Sequence, residues 1–302
     1  MTQYLINGLM LGGIYGLMAV AYSLVYGVLG LVNFAFGEIF MFGAFIALFA
    51  MNGQIPLVDT SIGFIDVGFP IALLVGVAAA GLLGVLVERV AYKPLRKAPI
   101  LTMLIATIAA SLTLRSAAQI VFGDGEQPFP NPVSGNGIEI LGATVQPLDL
   151  VIMAIGLAVM IVLSLGIGRT PLGRAIRATA QDADTARLMG ISVDRVIVWT
   201  FLIGSALAGL AGILYASKYQ FVDPTMGFVP SLKALVAAVV GGIGNVPGAF
   251  VGGILIGLIE ALAGGYIPGG SAWRDVIVFV ALGAMLWIRP QGLFGVRVVE
   301  RA

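Results

Sequence analysis

The sequence contains neither cysteine nor histidine among its 302 residues. Without cysteine it has no disulfide and no thiol nucleophile, and without histidine it lacks the commonest metal ligand and proton shuttle. Ser/His/Asp, Cys/His and related metal-ligand constellations are therefore excluded. A GxxxxGK[ST] phosphate-binding loop is also missing, so the chain does not hydrolyse ATP in the P-loop manner. These absences indicate that the chain is not an enzyme on its own, and they predict no cofactor and no metal site.

Charged residues are scarce as well. They make up 10% of the chain, against roughly a quarter in soluble domains, whereas 59% of the residues are hydrophobic. Runs of about 18 or more mostly apolar residues recur, and each is long enough for a helix to cross hydrocarbon. A net charge of +1 gives no indication of nucleic-acid binding. The composition predicts an all-α polytopic protein that is surrounded by membrane lipid, with residues 1–302 as a single transmembrane domain.

The apolar runs predict about eight or nine transmembrane segments, some of them short or broken. They lie at 4–31, 34–51, 69–91, 100–122, 148–168, 196–217, 274–289 and, as two short passes, within 231–264. Glycine-rich breaks at 30–33 and 241–248 look alike and lie in opposite halves of the chain. Broken segments in corresponding halves are typical of a transporter's pathway, although glycine-mediated helix packing explains any single glycine equally well. The first residues lack a basic region and a clear cleavage site, so we expect a first span and not a signal peptide.

Most basic residues lie in three segments, at 89–97, 169–195 and 289–302, while the loops between the other spans contain none. The positive-inside rule places these three segments, including the C-terminus, in the cytoplasm. The side of the N-terminus depends on the break near Asn33. A cytoplasmic turn there, which we favour, puts the N-terminus outside, whereas a single crossing or a re-entrant segment over 4–51 puts it inside.

The polar stretch 169–195, with five arginines and three aspartates, interrupts otherwise apolar sequence. Hydrocarbon does not accommodate such a charge density, so the stretch must lie in water. Thr170 and Pro171 form a helix-start signal, residues 174–189 favour a helix, and Gly190 is a plausible left-handed stop. The pattern predicts a short amphipathic helix that docks into a groove on a soluble partner. A solvated connection between two spans is the alternative.

Polar residues inside membrane spans are costly and usually functional. By this argument Asn33, Glu38, Asn245 and Glu260 are candidate residues of a translocation pathway. For each of them, an interhelical hydrogen bond is at least as good an explanation as contact with a substrate. Arg115 and Gln119, one turn apart in the predicted fourth span, are placed to pair across the bundle, and for them too an interhelical hydrogen bond is at least as good an explanation as contact with a substrate.

Four motifs resemble, in the same order, those of the permease subunits of branched-chain amino acid ABC importers, the LivH type. They are GVLGLVNFAFGE at 27–38, RATAQDADTARLMGISVDRV at 177–196, GGIGNVPGAFVGG at 241–253 and RPQGLFG at 289–295. The resemblance covers nearly the whole chain. Two positions depart from the family pattern: Phe36 stands where a histidine is common, and Gln181 where an acidic residue is usual. The first departure puts in doubt the substrate role assumed for that histidine, and an altered substrate is the alternative explanation.

The resemblance implies a subunit of the bacterial inner membrane with several partners. These are a second homologous permease, two cytoplasmic P-loop ATPases and a periplasmic substrate-binding protein. It implies the import of branched-chain or related hydrophobic amino acids, driven by ATP hydrolysis on the separate subunits. Relatives that carry urea, short amides or other amino acids are an alternative. So is an ion-coupled secondary transporter, although the few buried carboxylates disfavour it.

The resemblance also assigns a role to the polar stretch, which we call the coupling loop (residues 169–195). In the family this segment sits in a cleft of an ATPase subunit. Small side chains would allow a close approach, Asp182 would fix the register, and Gly190 would turn the chain back toward the membrane. The expected ATPase-coupling residues are Arg177, Asp182, Ala183, Ala186, Gly190 and Ile191.

The predicted orientation is testable because the chain is free of cysteine. Single cysteines introduced at Lys97, Thr185 and Arg301 should resist a membrane-impermeant thiol reagent in intact cells, since these positions lie in cytoplasmic segments. Cysteines at Asp66 and Asn131 should react. Labelling at Thr185 from outside the cell would reverse the orientation.

Overall fold

The computed structural model describes residues 1–52, 68–96, 98–133, 137–140, 142–267, 269–289 and 291–295. Most of the predicted loop 52–68 and the basic C-terminal residues 296–302 lie outside these ranges. Within them the chain is almost entirely helical, as the sequence predicts. The first helices are α1 Thr2–Leu29, α2 Phe36–Asn52, α3 Phe69–Val87, α4 Ile100–Phe122, α5 Pro147–Arg169 and α6 Pro171–Gln181. The others are α7 Ala183–Leu188, α8 Val193–Tyr219, α9 Phe228–Gly241, α10 Val246–Tyr266 and α11 Gly270–Ile288.

Four very short strands lie between the helices. They are β1 Gln127–Pro128, β2 Ile138–Ile140, β3 Ala143–Val145 and β4 Phe221–Val222. β1 pairs antiparallel with β4, and β2 pairs antiparallel with β3. The β1–β4 pair joins the chain that follows α4 to the chain that follows α8, so these two helices end on the same side of the bundle.

Six of the described helices are long and apolar enough to cross a membrane: α1, α3, α4, α5, α8 and α10. α2 and α9 are apolar but have only 17 and 14 residues, fewer than the roughly 20 that a crossing needs. α1 is almost wholly buried and packs against α5, α8, α9 and α10, whereas α4 and α5 are largely exposed. The molecule is therefore a polytopic helical membrane protein built around its first helix. The number of eight or nine spans stays a prediction.

Small residues let the central helices approach closely. Gly8, Gly12 and Gly16 recur at four-residue spacing along α1 and face the backbone of α10. In lipid, apolar side chains gain little from contacting one another, so close backbone packing is what holds such helices together. The same device joins α2 to α8, where a Cβ on Gly43 would lie 2.6 Å from the Cα of Gly209.

The first predicted break is a turn that reverses the chain. α1 ends at Leu29, and Gly30 adopts a left-handed conformation with φ of 67°, which favours glycine. The ring of Phe36, at the start of α2, then packs edge-on against Tyr22 of α1, with 5.1 Å between the centroids. The chain has thus turned back alongside α1 before α2 begins.

The second predicted break also separates two helices, as expected. α9 ends at Gly241 and α10 begins at Val246, after the side chain of Asn245 has accepted a hydrogen bond from the Gly248 amide at 3.1 Å. Ser23 of α1 accepts a hydrogen bond from the Gly244 amide at 2.9 Å. The second break therefore lies beside the C-terminal part of α1.

The C-terminal motif closes this end of the bundle. The amides of Leu293 and Phe294 donate to the carbonyls of Val240 and Gly241, at 2.8 and 3.1 Å. The side chain of Asn245 donates to the Phe294 carbonyl at 3.0 Å. Two motifs that lie about forty residues apart in the sequence thus form one hydrogen-bonded unit.

The N-terminus lies at the opposite end of the bundle. Gln3 exchanges two hydrogen bonds with the backbone of Thr144, and Tyr4 packs against Tyr266 at the end of α10. The coupling loop is linked instead to the segment that follows α3, because Arg96 binds Asp194 at 2.5 Å. This arrangement agrees with the favoured interpretation, in which the first break is a turn on the side of the coupling loop.

Two neighbouring glycines of α1 test the packing argument. A Cβ on Gly12 would lie 2.6 Å from the Cα of Ile254, whereas a Cβ on Gly13 meets nothing within 4 Å. We expect Gly12→Ala to lower the free energy of unfolding by about 1–3 kcal/mol through overpacking. Gly13→Ala, the matched control, should be neutral or slightly stabilising. Thermal unfolding of the purified variants in detergent measures both, and equal losses would contradict the close α1–α10 contact.

Candidate functional site

A buried ion pair lies where α2 begins. Glu38, in the first turn of α2, is 1% exposed and accepts hydrogen bonds from Arg115 at 2.8 Å and from Ser111 at 3.0 Å. Both partners belong to α4. The prediction that Arg115 pairs across the bundle is thus confirmed, and Glu38 is its partner. The sequence did not single out Ser111, because a serine in a span carries no charge that demands a partner.

The start of α9 meets the start of α2 at the same place. A Cβ on Gly37 would lie 2.9 Å from the carbonyl oxygen of Gly227, and the Arg115 guanidinium lies 5.3 Å from the ring centroid of Phe228. The partly positive N-terminal ends of two short helices therefore lie close to the Glu38 carboxylate. Such junctions of short helices bind ions and charged substrates in many transporters.

The two candidate asparagines shape the backbone. Asn33 is buried, and its Oδ1 accepts a hydrogen bond from the Ala35 amide at 3.0 Å, which fixes the turn before α2. Its Nδ2 has no hydrogen-bond partner among the described residues. Asn245 caps α10 and also binds the C-terminal segment through Phe294. Both asparagines thus have structural roles at the breaks.

Glu260 belongs to a separate cluster that joins α9, α10 and α11. Its Oε1 accepts a hydrogen bond from Lys233 at 2.8 Å, and the same ammonium lies 2.7 Å from Asp275. Lys233 is 4% exposed. The sequence interpretation missed Lys233, although a lysine inside the apolar region 231–264 is as conspicuous as the four polar residues that were chosen.

The four predicted pathway residues do not form one site. No hydrogen bond or ion pair within the described part of the chain joins any two of Asn33, Glu38, Asn245 and Glu260. Glu38 lies at the junction of the two short helices, the asparagines at the chain breaks and Glu260 in the lysine cluster. Each of the four residues thus has its own partners, and their common role in a pathway stays a prediction.

Two further charge clusters tie helices together near the ends of the bundle. Asp149 of α5 binds Lys218 of α8 at 2.5 Å. Arg96 bridges Glu88, which is fully buried, and Asp194 at the start of α8. The backbone around Glu88 forms a π-helix over Glu88–Tyr92. The second cluster connects the end of α3 directly to the coupling loop.

The coupling loop begins as the sequence predicts. Thr170 accepts a hydrogen bond from the Gly173 amide at 3.0 Å, and Pro171 is the first helical residue. Residues 174–189 do not form one helix, however, so that prediction was wrong. Asp182 is extended, with φ of −161° and ψ of 107°, and separates α6 from α7.

The break arises from the Asp182 side chain. Its Oδ1 accepts hydrogen bonds from the amides of Asp184 and Thr185, at 2.9 and 3.0 Å, and so starts a new helix. Aspartate competes in this way with the continuing helix. The same bonds from Thr185 and Asp184 lower the pKa of Asp182. Since the folded-state pKa is depressed, this cap stabilises α7 above the ordinary aspartate pKa and is lost as the pH falls through the folded value.

The small residues of the coupling loop face inward. Ala186 is 4% exposed and packs within the chain's own core, and Ala183 and Ile191 pack against that core. Leu188 and Met189, in contrast, are 88% and 78% exposed. Large apolar side chains in water mark a contact surface. The sequence interpretation did not propose these two residues as a contact surface, although two adjacent large apolar residues within a polar stretch could have indicated one.

Two other predicted coupling residues have clear positions. Gly190 has φ of 83° and ends α7 in the left-handed conformation, as predicted. Arg177 turns back to the end of α5, where its guanidinium donates to the carbonyls of Ile167 and Gly168. It thereby satisfies carbonyls that a helix end leaves free. Arg177 holds α6 against the membrane bundle.

Buried ion pairs, two short helices that meet at a carboxylate and an amphipathic segment outside the bundle define a multi-pass membrane permease. A family model described as the permease component of the branched-chain amino acid transport system matches residues 4–286. The chain belongs to this family. Its members are transport permeases, which agrees with a protein that is not an enzyme.

Curated relatives match over almost the full length. The high-affinity branched-chain amino acid transport system permease LivH of Salmonella typhimurium is 36% identical, over 99% of this chain and 97% of its own. The corresponding permease BraD of Pseudomonas aeruginosa is also 36% identical, over the same shares. Among solved structures, PsaBC of Streptococcus pneumoniae in complex with Fab aligns with a TM-score of 0.53, over 95% of this chain and 92% of that one. At 16% identity this similarity shows the fold alone.

The Glu38–Arg115 pair can be tested by a double-mutant cycle. Arg115→Gln should lower the free energy of unfolding by about 3–5 kcal/mol, because it leaves the Glu38 carboxylate buried without its partner. Glu38→Gln should cost less, because the Arg115 side chain is 24% exposed. The double variant should lose clearly less than the sum of the two. Thermal and denaturant unfolding of the purified proteins measure these values, with Thr113→Ser on the exposed face of α4 as a control. Strict additivity would show that the two charges do not interact.

Proposed function

We propose that this chain is a permease subunit of an ABC importer that carries branched-chain amino acids into the cytoplasm. The observation that supports this most is the 36% identity, over nearly the full length of both chains, to permeases named for that transport. The energy would come from ATP hydrolysed on separate subunits, since this sequence has no phosphate-binding loop. Urea, short amides or other amino acids are the alternative substrates.

For the translocation pathway we propose the junction of α2 and α9. Glu38 lies there, and the N-terminal ends of both helices face the same small region. Asn33 and Asn245 would shape the pathway indirectly, through the turns that they fix, and Glu260 would act through its lysine cluster. Movement of one short helix against the other would open or close the route, because neither is long enough to span the membrane alone.

The partners that fit this function are a second homologous permease, two cytoplasmic P-loop ATPases and a periplasmic binding protein. The largely exposed apolar helices α4 and α5 leave room for the second permease and for lipid. The coupling loop and the C-terminus would lie in the cytoplasm, as the positive-inside rule places them. Residues 291–295 and the second break lie at one end of the bundle, which agrees with a common cytoplasmic side.

Leu188 and Met189 would contact the ATPase. The small residues Ala183 and Ala186, which the sequence suggested for this contact, would not. Ala183, Ala186 and Ile191 would hold α7 on the bundle. Asp182 would fix the direction of α7 and Gly190 its end, and Arg177 would anchor α6. An ATPase that binds the two exposed side chains would then move α7. Because Arg96 binds both Asp194 and Glu88, this movement would also reach the end of α3.

Reconstituted transport tests the function. The chain should be expressed with its permease partner and ATPases, placed in liposomes and supplied with the binding protein and ATP. ATP-dependent uptake of labelled leucine, isoleucine or valine is the expected result. Uptake of urea or amides alone would identify the alternative substrate class, and uptake driven by an ion gradient without ATP would exclude an ABC importer.

In the same assay Glu38→Gln should reduce uptake while the complex still assembles; unchanged uptake would remove Glu38 from the pathway.

The ATPase contact is tested by the variant Leu188→Asn/Met189→Asn. It removes the exposed apolar surface and leaves the buried side of α7 intact, so we expect a loss of ATPase co-purification of about tenfold or more. Thermal stability of the permease should be unchanged. Asp184→Ser, on the same short helix, is the matched control and should retain the ATPases. Normal co-purification of the double variant would show that the coupling loop is only a solvated connection.

A further inference from the structure

A cavity of about 220 Å³ lies at the end of the bundle opposite the coupling loop, between α1, α8, α10 and α11. Its walls combine the apolar side chains of Met10, Leu11 and Ala261 with polar groups, including Asn7. Pockets for drug-sized ligands measure roughly 300–1,000 Å³. This cavity is smaller, so its size suits a small metabolite.

Glu260 lines the cavity, and one of its carboxylate oxygens is buried. The Oε1 of Glu260 accepts the hydrogen bond from Lys233, but Oε2 has no hydrogen-bond partner among the described residues. The residue is 6% exposed. A buried carboxylate oxygen without a donor is costly, and a small rotation of the Glu260 side chain toward the cavity would let a ligand supply that donor. An ammonium group supplies that donor together with the opposite charge.

Two cations line the same cavity. Lys218 is bound to Asp149, but an ammonium has three donors, so it can hold a second acceptor as well. Arg274, near the start of α11, forms no ion pair with any residue that the structure describes. An unpaired guanidinium is suited to a carboxylate, which it binds through two parallel hydrogen bonds.

The charges around the cavity balance without a ligand. The cations are Lys218, Lys233 and Arg274, and the anions are Asp149, Glu260 and Asp275. Three positive and three negative charges give a net charge of zero. An anionic or cationic ligand would disturb this balance in a region of low dielectric constant. A zwitterion brings one charge of each sign and preserves it.

We propose that this cavity binds a zwitterionic α-amino acid with a small apolar side chain. Arg274 and Lys218 hold its carboxylate, and the free oxygen of Glu260 accepts from its ammonium group. Met10, Leu11 and Ala261 surround the side chain. The inference rests on the proposed function, in which this end of the bundle receives the substrate from the binding protein. It makes the cavity the first site that the amino acid meets in this subunit.

Equilibrium binding of radiolabelled leucine to the purified complex, without binding protein, tests the proposal. Arg274→Gln should weaken binding by about tenfold or more, because a charge-assisted hydrogen bond is lost. Arg274→Lys should recover part of the affinity. Arg169→Gln, an exposed arginine in the coupling loop, is the matched control and should bind like the native protein. Equal binding by Arg274→Gln and the control would overturn the proposal.

Further variants and analogues separate this site from a general effect on folding. Ala261→Trp fills the cavity and replaces no charged residue. It should abolish binding while thermal stability stays close to native. Isopentylamine lacks the carboxylate and isocaproate lacks the ammonium group, so each should compete about tenfold or more weakly than leucine. If isocaproate competes as well as leucine, Glu260 has no part in recognition and the proposal fails.

The outcome is distinguishable from that of the proposed function. If the native importer carries branched-chain amino acids but leucine binding does not depend on Arg274, only the cavity proposal fails. If it carries none of them, the binding assay is repeated with a panel of zwitterionic amino acids of other side chains. Binding of one of these that depends on Arg274 would support the site, and the absence of any such binding would overturn it.

Discussion

A charged side chain in a lipid-surrounded bundle is stable only where an opposite charge or several hydrogen bonds compensate for the lost water. The described residues follow this constraint in each buried cluster. Glu38 binds Arg115 of a different helix, and Glu260 binds Lys233. Each pair fixes the position of two helices relative to each other. Forming such a pair stabilises the protein little, but separating its partners leaves a buried charge without compensation. Arrangements that separate these helices are therefore disfavoured.

Close backbone packing completes what the ion pairs begin. α1 and α10 approach so closely that glycine is required at several contacts along α1, and Gly12 is one of them. α2 follows the first break and α9 precedes the second, and the N-terminal ends of these two short helices meet near Glu38. The short helices belong to the core as well, since Phe36, Phe40 and Phe45 of α2 are fully buried.

The coupling loop shows how a helix on the membrane surface divides its two faces. Its small residues, such as Ala186, pack against the chain's own bundle, and its large apolar residues, Leu188 and Met189, are exposed. Small side chains alone do not show which surface they approach. Arg96 joins this loop to the end of α3 through Asp194 and Glu88, so a displacement of the loop has a direct connection to the bundle.

The sequence by itself determined the class of protein, the helical segments, the positions of both breaks and the separate polar loop. It did so because apolar run length, glycine, capping residues and charge are local properties. It also predicted that Arg115 and Gln119 pair across the bundle. Only the tertiary structure decided that the partner of Arg115 is Glu38, that Lys233 joins three helices and that Asp182 divides the coupling loop. The first two facts depend on which residues of distant segments come together in space. The third depends on which of two competing sets of hydrogen bonds forms, and no local pattern settles either.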